Sequence, residues 1–297
     1  MNGIIVINKQ QDFTSFDVVA VTRGILREKK IGHSGTLDPM ATGVLPILIG
    51  RAAKAQSLLP DTNKEYEADF RLGVTTDTLD ITGKIISEKE SHCNWQQIEK
   101  VLPQFRGDIM QIPPMYSAVQ KDGIRLYDLA RQGIEVERAA RPVWVEKLEL
   151  VSFDEKTQSG KLVISCSKGT YIRVICDDIG KALGCGCVMT ALCRTKACGY
   201  GLDDAVTLKE LEKIKNEGRV EELIRPTDSI FSCFQPVYVS EKQAVRFSNG
   251  AGLDLDRVKT VCDKTDGTLY RVYGGQVFLG LGIINTEKNE LCVKKKF

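Results

Sequence analysis

Residues 32–50, GHSGTLDPMATGVLPILIG, constrain this chain more than any other stretch. The second half, from Val44 to Ile49, is written for burial as a strand. The first half sets Gly32, Gly35 and Gly43, one of only two histidines (His33) and the acid Asp38 at the edge of that run. Two readings of Asp38 stand side by side. An Asp followed by Pro is a common helix start, with the acid as N-cap and the proline at the first helical position. Alternatively, Pro39 holds Asp38 in an extended backbone, glycines let a ligand approach, and the flanking strand fixes a presented carboxylate.

Around this loop the chain alternates short helices and strands. Residues 3–8 read as a strand. Thr14 and Asp17 form a capping box for a helix reaching Leu26, Asn94 and Gln97 cap a helix near 95–102, and Thr207 with Glu210 cap a third. Residues 52–59 read as a short helix. The 66–73 segment alternates apolar and polar residues with Tyr66 on its apolar face, so it is a half-buried strand. Residues 75–83, TTDTLDITG, read as a polar, turn-rich loop. A hairpin is expected around Asp122-Gly123, followed by a short helix at 126–132. Strands follow at 143–153 and 161–167, and a helix within 170–184 that Gly184 can end. Without a regular βαβ rhythm, the fold class is α+β with a mixed, largely antiparallel sheet. Composition shifts near Phe234-Gln235-Pro236. Beyond it a capped helix at 241–249 and four candidate strands (258–262, 268–273, 276–284, 290–294) make a small β-rich module. The expected division is a main domain over 1–234 and a module over 235–297.

Composition narrows the function. The chain has 297 residues and a net charge of +2, ordinary for a globular protein and short of the strong basic bias of many nucleic-acid binders. The charge is uneven: residues 61–90 are acid-rich, and 23–30 and 257–297 base-rich. No apolar run approaches the roughly 20 residues of a membrane span. The opening MNGIIVINKQQ lacks the build of an export signal, pointing to the cytoplasm. Four of the ten cysteines, Cys185, Cys187, Cys193 and Cys198, cluster without paired zinc-knuckle spacing, and read as buried or incidental thiols rather than a metal site.

A carboxylate that does chemistry needs a partner that sets its charge. Arg173, inside the apolar helix of KGTYIRVICDDIG, is a candidate. The local alternative is a pair with Asp177, four residues on.

Taken in order, GHSGTLDPMATGVLPI, KEYEADFRLGVTTDTLDITG, IPPMYSAVQKDGIRLYDLARQG and KGTYIRVICDDIG resemble the TruB family of tRNA pseudouridine-55 synthases. The resemblance runs from about Gly3 through Thr195, and GQVFLGLG (275–282) resembles the end of a PUA-like RNA-binding module. It implies an isomerase that converts a flipped-out uridine of the tRNA T loop to pseudouridine with no redox cofactor, metal or ATP. The family's aspartate maps onto Asp38, its active-site tyrosine onto Tyr66 and its arginine onto Arg173. Gly35, Tyr171 and Leu192 map onto the substrate pocket, His33 onto a residue filling the vacated stack, and Lys9 onto a lysine supporting the loop. Residues 113–142 resemble an RNA-gripping thumb, with Lys121, Arg125, Arg131, Arg138 and Arg141 as phosphate contacts. The implied partner is tRNA, held at the T-arm by the main domain and at the acceptor stem by the C-terminal module. A monomer with no obligate protein partner is expected.

The chain departs from the family pattern at several places. Gln10 and Asp12 stand where a proline and a glycine are usual, Val188 replaces a histidine and Cys193 an arginine. Two other functions compete. An RNA-binding or RNA-folding protein of the same fold would tolerate loss of Asp38, Tyr66 or Arg173, and all three are present. A glycoside or nucleoside hydrolase would need a second carboxylate, for which Asp77 and Asp80 are the nearby candidates.

Overall fold

The buried run forms the strand Thr42–Ile49 and pairs antiparallel with Gly3–Lys9, with Ile5 opposite Ile47. A computed structural model describes residues 1–60, 63–259 and 261–297. From this pair the main sheet continues through Cys187–Ala197, Lys64–Leu72, Ser159–Cys166 and Arg141–Asp154 to the edge strand Gly107–Gln111. The short strand Ile31–His33 pairs with Thr42–Ile49 off this path. Every pairing along the path is antiparallel except one: Cys193 and Arg194 run parallel to Thr42 and Gly43. The sheet is mixed and largely antiparallel, as the sequence indicates.

That parallel contact requires Gly43. Its φ is +102°, and a Cβ there would lie 2.2 Å from the carbonyl oxygen of Arg194. Gly43 therefore serves the chain's own strand crossing rather than an approaching ligand, which corrects part of the sequence reading. Gly35 and Gly32 differ, since a Cβ would meet nothing closer than 3.8 and 3.5 Å.

Capping boxes form as read at Thr14/Asp17 for Ser15–Leu26, at Asn94/Gln97 for Trp95–Val101 and at Thr207/Glu210 for Leu208–Asn216. The helix Ile172–Ala182 lies against the strand Cys187–Ala197 with Ile172, Ile175 and Ile179 buried. The Asp122-Gly123 turn joins Gln120–Lys121 to Ile124–Arg125, both turn residues having positive φ as such two-residue turns require.

Several expectations are corrected. The short helix expected at 52–59 is present as a 3-10 helix that starts two residues earlier, Gly50–Leu58. Asp38 caps no helix: residues 38–41 make a turn closed by a 3.0 Å bond from the Ala41 amide to the Asp38 carbonyl. The strand Cys187–Ala197 escaped the sequence reading because register shifts at Met189/Ala191 and Arg194/Lys196 break its two-residue alternation. Of the strand expected at 258–262, residues 258, 259, 261 and 262 are not strand, and residue 260 lies outside the described residues.

A second sheet orders Gln235–Val239, Leu269–Gly274, Val277–Asn285, Glu290–Lys296 and Leu253–Asp254, with Glu241–Ser248 as its helix. Its first pairing is parallel, and the strand Gln235–Val239 was not read from the sequence. This sheet has its own core around Val237, Phe247, Tyr270 and Val272. It also meets the main body: Phe231, fully buried, contacts the rings of Phe278 and Phe297 at 6.4 and 5.6 Å between centroids.

The four clustered cysteines, Cys185, Cys187, Cys193 and Cys198, are free thiols. Among the described residues no group of three or more His, Cys, Asp and Glu is placed to hold a metal ion. No helix of the described residues is long and apolar enough to cross a membrane.

Phe231→Ala should lower stability by about 3–5 kcal/mol, the usual cost of removing a buried phenylalanine. A chain ending at residue 234 should unfold at lower denaturant concentration than the full chain, because Phe231 loses the cover of Phe278 and Phe297. Urea titrations of the three proteins would check both.

Candidate active site

The loop that carries Asp38 is held almost entirely by its backbone. The Ser15 hydroxyl accepts from the Leu37 amide at 2.8 Å and donates to the Leu37 carbonyl at 3.3 Å. The Lys9 ammonium, fully buried, donates to the carbonyls of Gln10, Phe13 and Pro39, so all three of its N–H bonds are engaged. Burial pushes that ammonium down to about 8, against the pull of Asp38. Arg194, 1% exposed, donates to the carbonyls of Val44 (2.8 Å), Gly35 (3.2 Å) and Thr36 (3.4 Å). With the loop carbonyls occupied, the Asp38 carboxylate is left to face a cleft.

Arg173 meets it there. One terminal nitrogen of the guanidinium lies 3.0 Å from Asp38 Oδ2 and donates to the Tyr116 carbonyl at 2.9 Å. The other donates to the Thr78 carbonyl at 2.9 Å and lies 3.5 Å from Asp80 Oδ2. The Arg173 side chain is 5% exposed and that of Asp80 6%. The local alternative fails: Asp177 pairs with Lys181 at 2.6 Å.

Asp80 is the residue that sequence reasoning misplaced. Its loop has the composition of a polar turn, yet the loop is pinned to the sheet by Ile81 donating to the Met189 carbonyl at 2.9 Å. Asp80 Oδ1 accepts from the Thr78 hydroxyl and from the amide and hydroxyl of Thr82, leaving Oδ2 for Arg173. Leu79, just before it, sits at φ +65°, strained for a bulky side chain. Asp77 accepts from the Lys84 amide within the turn.

Burial pushes the Asp38 carboxyl above the usual carboxylate range. Arg173 opposes that shift, Asp80 adds to it and Lys9 opposes it. Tyr66, buried on the strand Lys64–Leu72, has its phenol pushed up to about 12 by burial, with Arg194 pulling the other way. It is therefore a neutral phenol at physiological pH. Tyr66 and Arg194 are cross-strand partners. Arg194 is the other residue the sequence reading passed over. Its strand is hidden from periodicity by those register shifts, so only the tertiary structure shows that it shares a face with Leu192.

The cleft, about 410 Å³, is lined by Asp38, Tyr66, Arg173, Gly35, Tyr171 and Leu192 among others. All three mapped catalytic positions thus converge. The Tyr171 backbone is fixed by a two-way bond with the Gln111 side chain. His33 is not in the cleft wall, which begins at Ser34. Burial lowers its imidazole pKa, and Arg194 adds to the effect. In the thumb-like segment only residues 117–119 line the cleft. Arg125 and Arg131 flank the Tyr127 ring, Lys121 donates to the Glu137 carbonyl, Arg138 pairs with Glu135, and Arg141 is exposed.

The description "TruB family pseudouridylate synthase (N terminal domain)" matches residues 23–172, and "tRNA pseudouridylate synthase B C-terminal domain" matches 173–232. A tRNA pseudouridine synthase B of Alkaliphilus oremlandii is 41% identical over 296 residues, covering 99% of this chain and 97% of that protein. This chain belongs to the TruB family of pseudouridylate synthases. A further relative of the same name from Chromobacterium violaceum is 41% identical, over 95% of this chain and 90% of that one. The fold is also that of a chain in the crystal structure of a Cbf5-Nop10-Gar1 complex, with a TM-score of 0.77 at 24% identity over 99% of this chain and 84% of that one. Pseudouridylate synthases are isomerases, and this TruB-family cleft holds an arginine-bound carboxylate beside a neutral tyrosine.

Arg173→Lys keeps the charge but loses the fork that joins two carboxylates and two carbonyls. Its single-turnover rate should fall on the order of 10²-fold while RNA affinity stays within several-fold. Asp80→Asn removes a negative charge that raises the Asp38 pKa. The acid limb of its pH–rate profile should therefore move to lower pH than in the native protein, and a limb that moved upward would show Asp80 acting only by holding Arg173.

Proposed function

We propose that this chain isomerises uridine 55, flipped out of the T loop of tRNA, to pseudouridine, with Asp38 as the essential charged group. The observation that carries the reading is the ion pair between the buried Arg173 and the Asp38 carboxylate that faces a cleft of nucleoside size. In the overall reaction the N1–C1′ bond breaks, the uracil turns, a C5–C1′ bond forms, the C5 proton leaves and N1 takes one up. An ionised Asp38 can open this sequence by attacking C1′ or C6 or by removing the 2′ hydrogen. Arg173 stabilises the ionised form. Tyr66 offers an aromatic face to the base and a phenol that donates rather than an anionic base. Leu192 and Tyr171 shape the pocket, and Gly35 keeps its wall low. His33, kept neutral by burial, suits stacking in the gap left by the flipped base better than pairing with a phosphate.

Hydrolysis lacks support here. Asp38 is the one acid among the described residues lining the cleft, and Asp80 faces Arg173 and two threonines. A hydrolase would want a second carboxylate across the substrate.

RNA contact is supported by a second cavity, about 530 Å³, lined by Arg23, Lys29, Lys30, Arg51 and Lys54 with no acid among the described residues that line it. It touches Ile31, and the active cleft begins at Ser34. Ile31 and Ser34 are three positions apart, roughly 10 Å along an extended chain. These cations suit phosphates away from the reacting base. We assign the same role to the thumb-like segment 113–142 and to the module over 235–297, the latter towards the acceptor stem.

Asp38→Asn should leave no pseudouridine on an unmodified T-arm stem-loop mapped at single-nucleotide resolution, while binding it within several-fold of the native protein. Product above the trace expected from deamidation would remove Asp38 from the chemistry. Lys30→Glu with Lys54→Glu should weaken binding of full-length tRNA and flatten its salt dependence by about 1–2 in log–log slope. Unchanged slopes would place the RNA elsewhere.

A further inference from the structure

Phe16 is 64% exposed on the helix Ser15–Leu26, whose Val18, Val19 and Leu26 are buried. A single exposed apolar side chain is ordinary, but this ring has charged surroundings. Two turns along the helix, the Arg23 guanidinium lies over it, 5.8 Å from the ring centroid. Arg23 also lines the basic cavity, together with Lys29, Lys30, Arg51 and Lys54. Its Nη2 donates to the Ile31 carbonyl at 3.0 Å, while its Nε is buried with no acceptor among the described residues. A buried donor left unmet calls for a partner. Asp17, the acid of this helix, closes the capping box with Thr14. Glu28, just past the helix end, pairs with the N-terminal ammonium and accepts from the Lys30 amide. The ring also stands near the active cleft, since the neighbouring Ser15 holds Leu37 of the cleft wall through its two-way hydroxyl bond.

An exposed ring beside a cluster of cations matches unpaired RNA, because each base has a face to stack and each link a phosphate to neutralise. An acidic peptide would use the cations and leave the ring idle, and a paired helix keeps its base faces within its own stack. We propose that Phe16 and Arg23 form a second nucleotide subsite, in which an unpaired base of the same RNA loop stacks on Phe16 and its phosphate enters the basic cavity. Arg23 serves both parts: the face of the guanidinium holds the ring, and its N–H edge takes the phosphate. The subsite anchors the opened loop beside the Asp38 cleft and offsets part of the cost of flipping the target. This rests on the reading of the Asp38 cleft as a uridine site and of the cavity as a phosphate site.

The test titrates the full chain with T-arm stem-loops. One RNA is unmodified, and in the others each unpaired loop nucleotide in turn is replaced by an abasic ribose. Phe16→Ala should bind the unmodified RNA about ten- to hundred-fold more weakly, as loss of one stacked base does. Its salt slope should be unchanged, since stacking releases no counterions. Lys30→Gln with Lys54→Gln should instead lower the log–log slope by about 1.4, from two single-strand contacts. One abasic position other than the target uridine should weaken native binding, and at that position Phe16→Ala should cost nothing further. Phe16→Trp should bind at least as tightly as the native protein, and the melting temperature of Phe16→Ala should be unchanged. The subsite is overturned if Phe16→Ala binds as the native protein does, or if its loss is equal on every RNA. It is overturned equally if a polyglutamate chain binds with the same dependence on Phe16. Pseudouridine formation by the native protein is measured alongside. Its absence would defeat the uridine reading of the cleft, whereas the abasic series would still decide the subsite.

Discussion

One guanidinium joins four parts of this chain. Arg173 stands on a buried helix and reaches the Asp38 loop, the Asp80 turn and the Tyr116 carbonyl of the thumb-like segment. A buried arginine without partners would be severely destabilising, since removing one member of a buried pair costs about 3–5 kcal/mol. Here each partner also fixes an element. The helix sets the arginine, the arginine sets where three loops end, and the cleft is the space they enclose. The site is built from the same contacts that make burial of the charge tolerable.

Arg194 and Lys9 do the complementary work on the other side of Asp38. Between them they hold the carbonyls of Gln10, Phe13, Gly35, Thr36, Pro39 and Val44. Backbone carbonyls carry no net charge, so these two cations leave the cleft with a positive field. That field favours an ionised Asp38 against burial and suits a polyanionic substrate. Tyr66 stays neutral because burial outweighs that field, whereas for His33 burial and the nearby arginine both disfavour a charged imidazole.

The C-terminal sheet combines two characters. Its own core around Phe247 and Tyr270 is that of a separate unit, while Phe278 and Phe297 close over Phe231 of the main body. The Tyr273 hydroxyl donates to Asp228 and Arg271 to the Phe234 carbonyl, so polar contacts reinforce the same seam. The unit is therefore fixed to the body that carries Asp38 by both apolar and polar contacts.

Much of this was legible in the sequence. Capping boxes at Thr14, Asn94 and Thr207 are local, needing only a hydroxyl or amide three residues from an acid or amide partner. The apolar run at 44–49, the alternation around Tyr66 and the Asp122-Gly123 turn are local too, and the motifs around Asp38, Tyr66 and Arg173 were enough to indicate the family. Three things only the tertiary structure decided. Arg173 pairs with Asp38, 135 residues away, rather than with Asp177 on its own helix, and sequence spacing cannot measure that distance. Asp80 is buried although its neighbours are polar, because the loop docks on Met189 of a strand whose bulges hide it from periodicity. Gly43 is required by Arg194 of that same strand. Local chemistry fixes elements and turns, whereas the partner of a buried charge depends on which distant segments the sheet brings together.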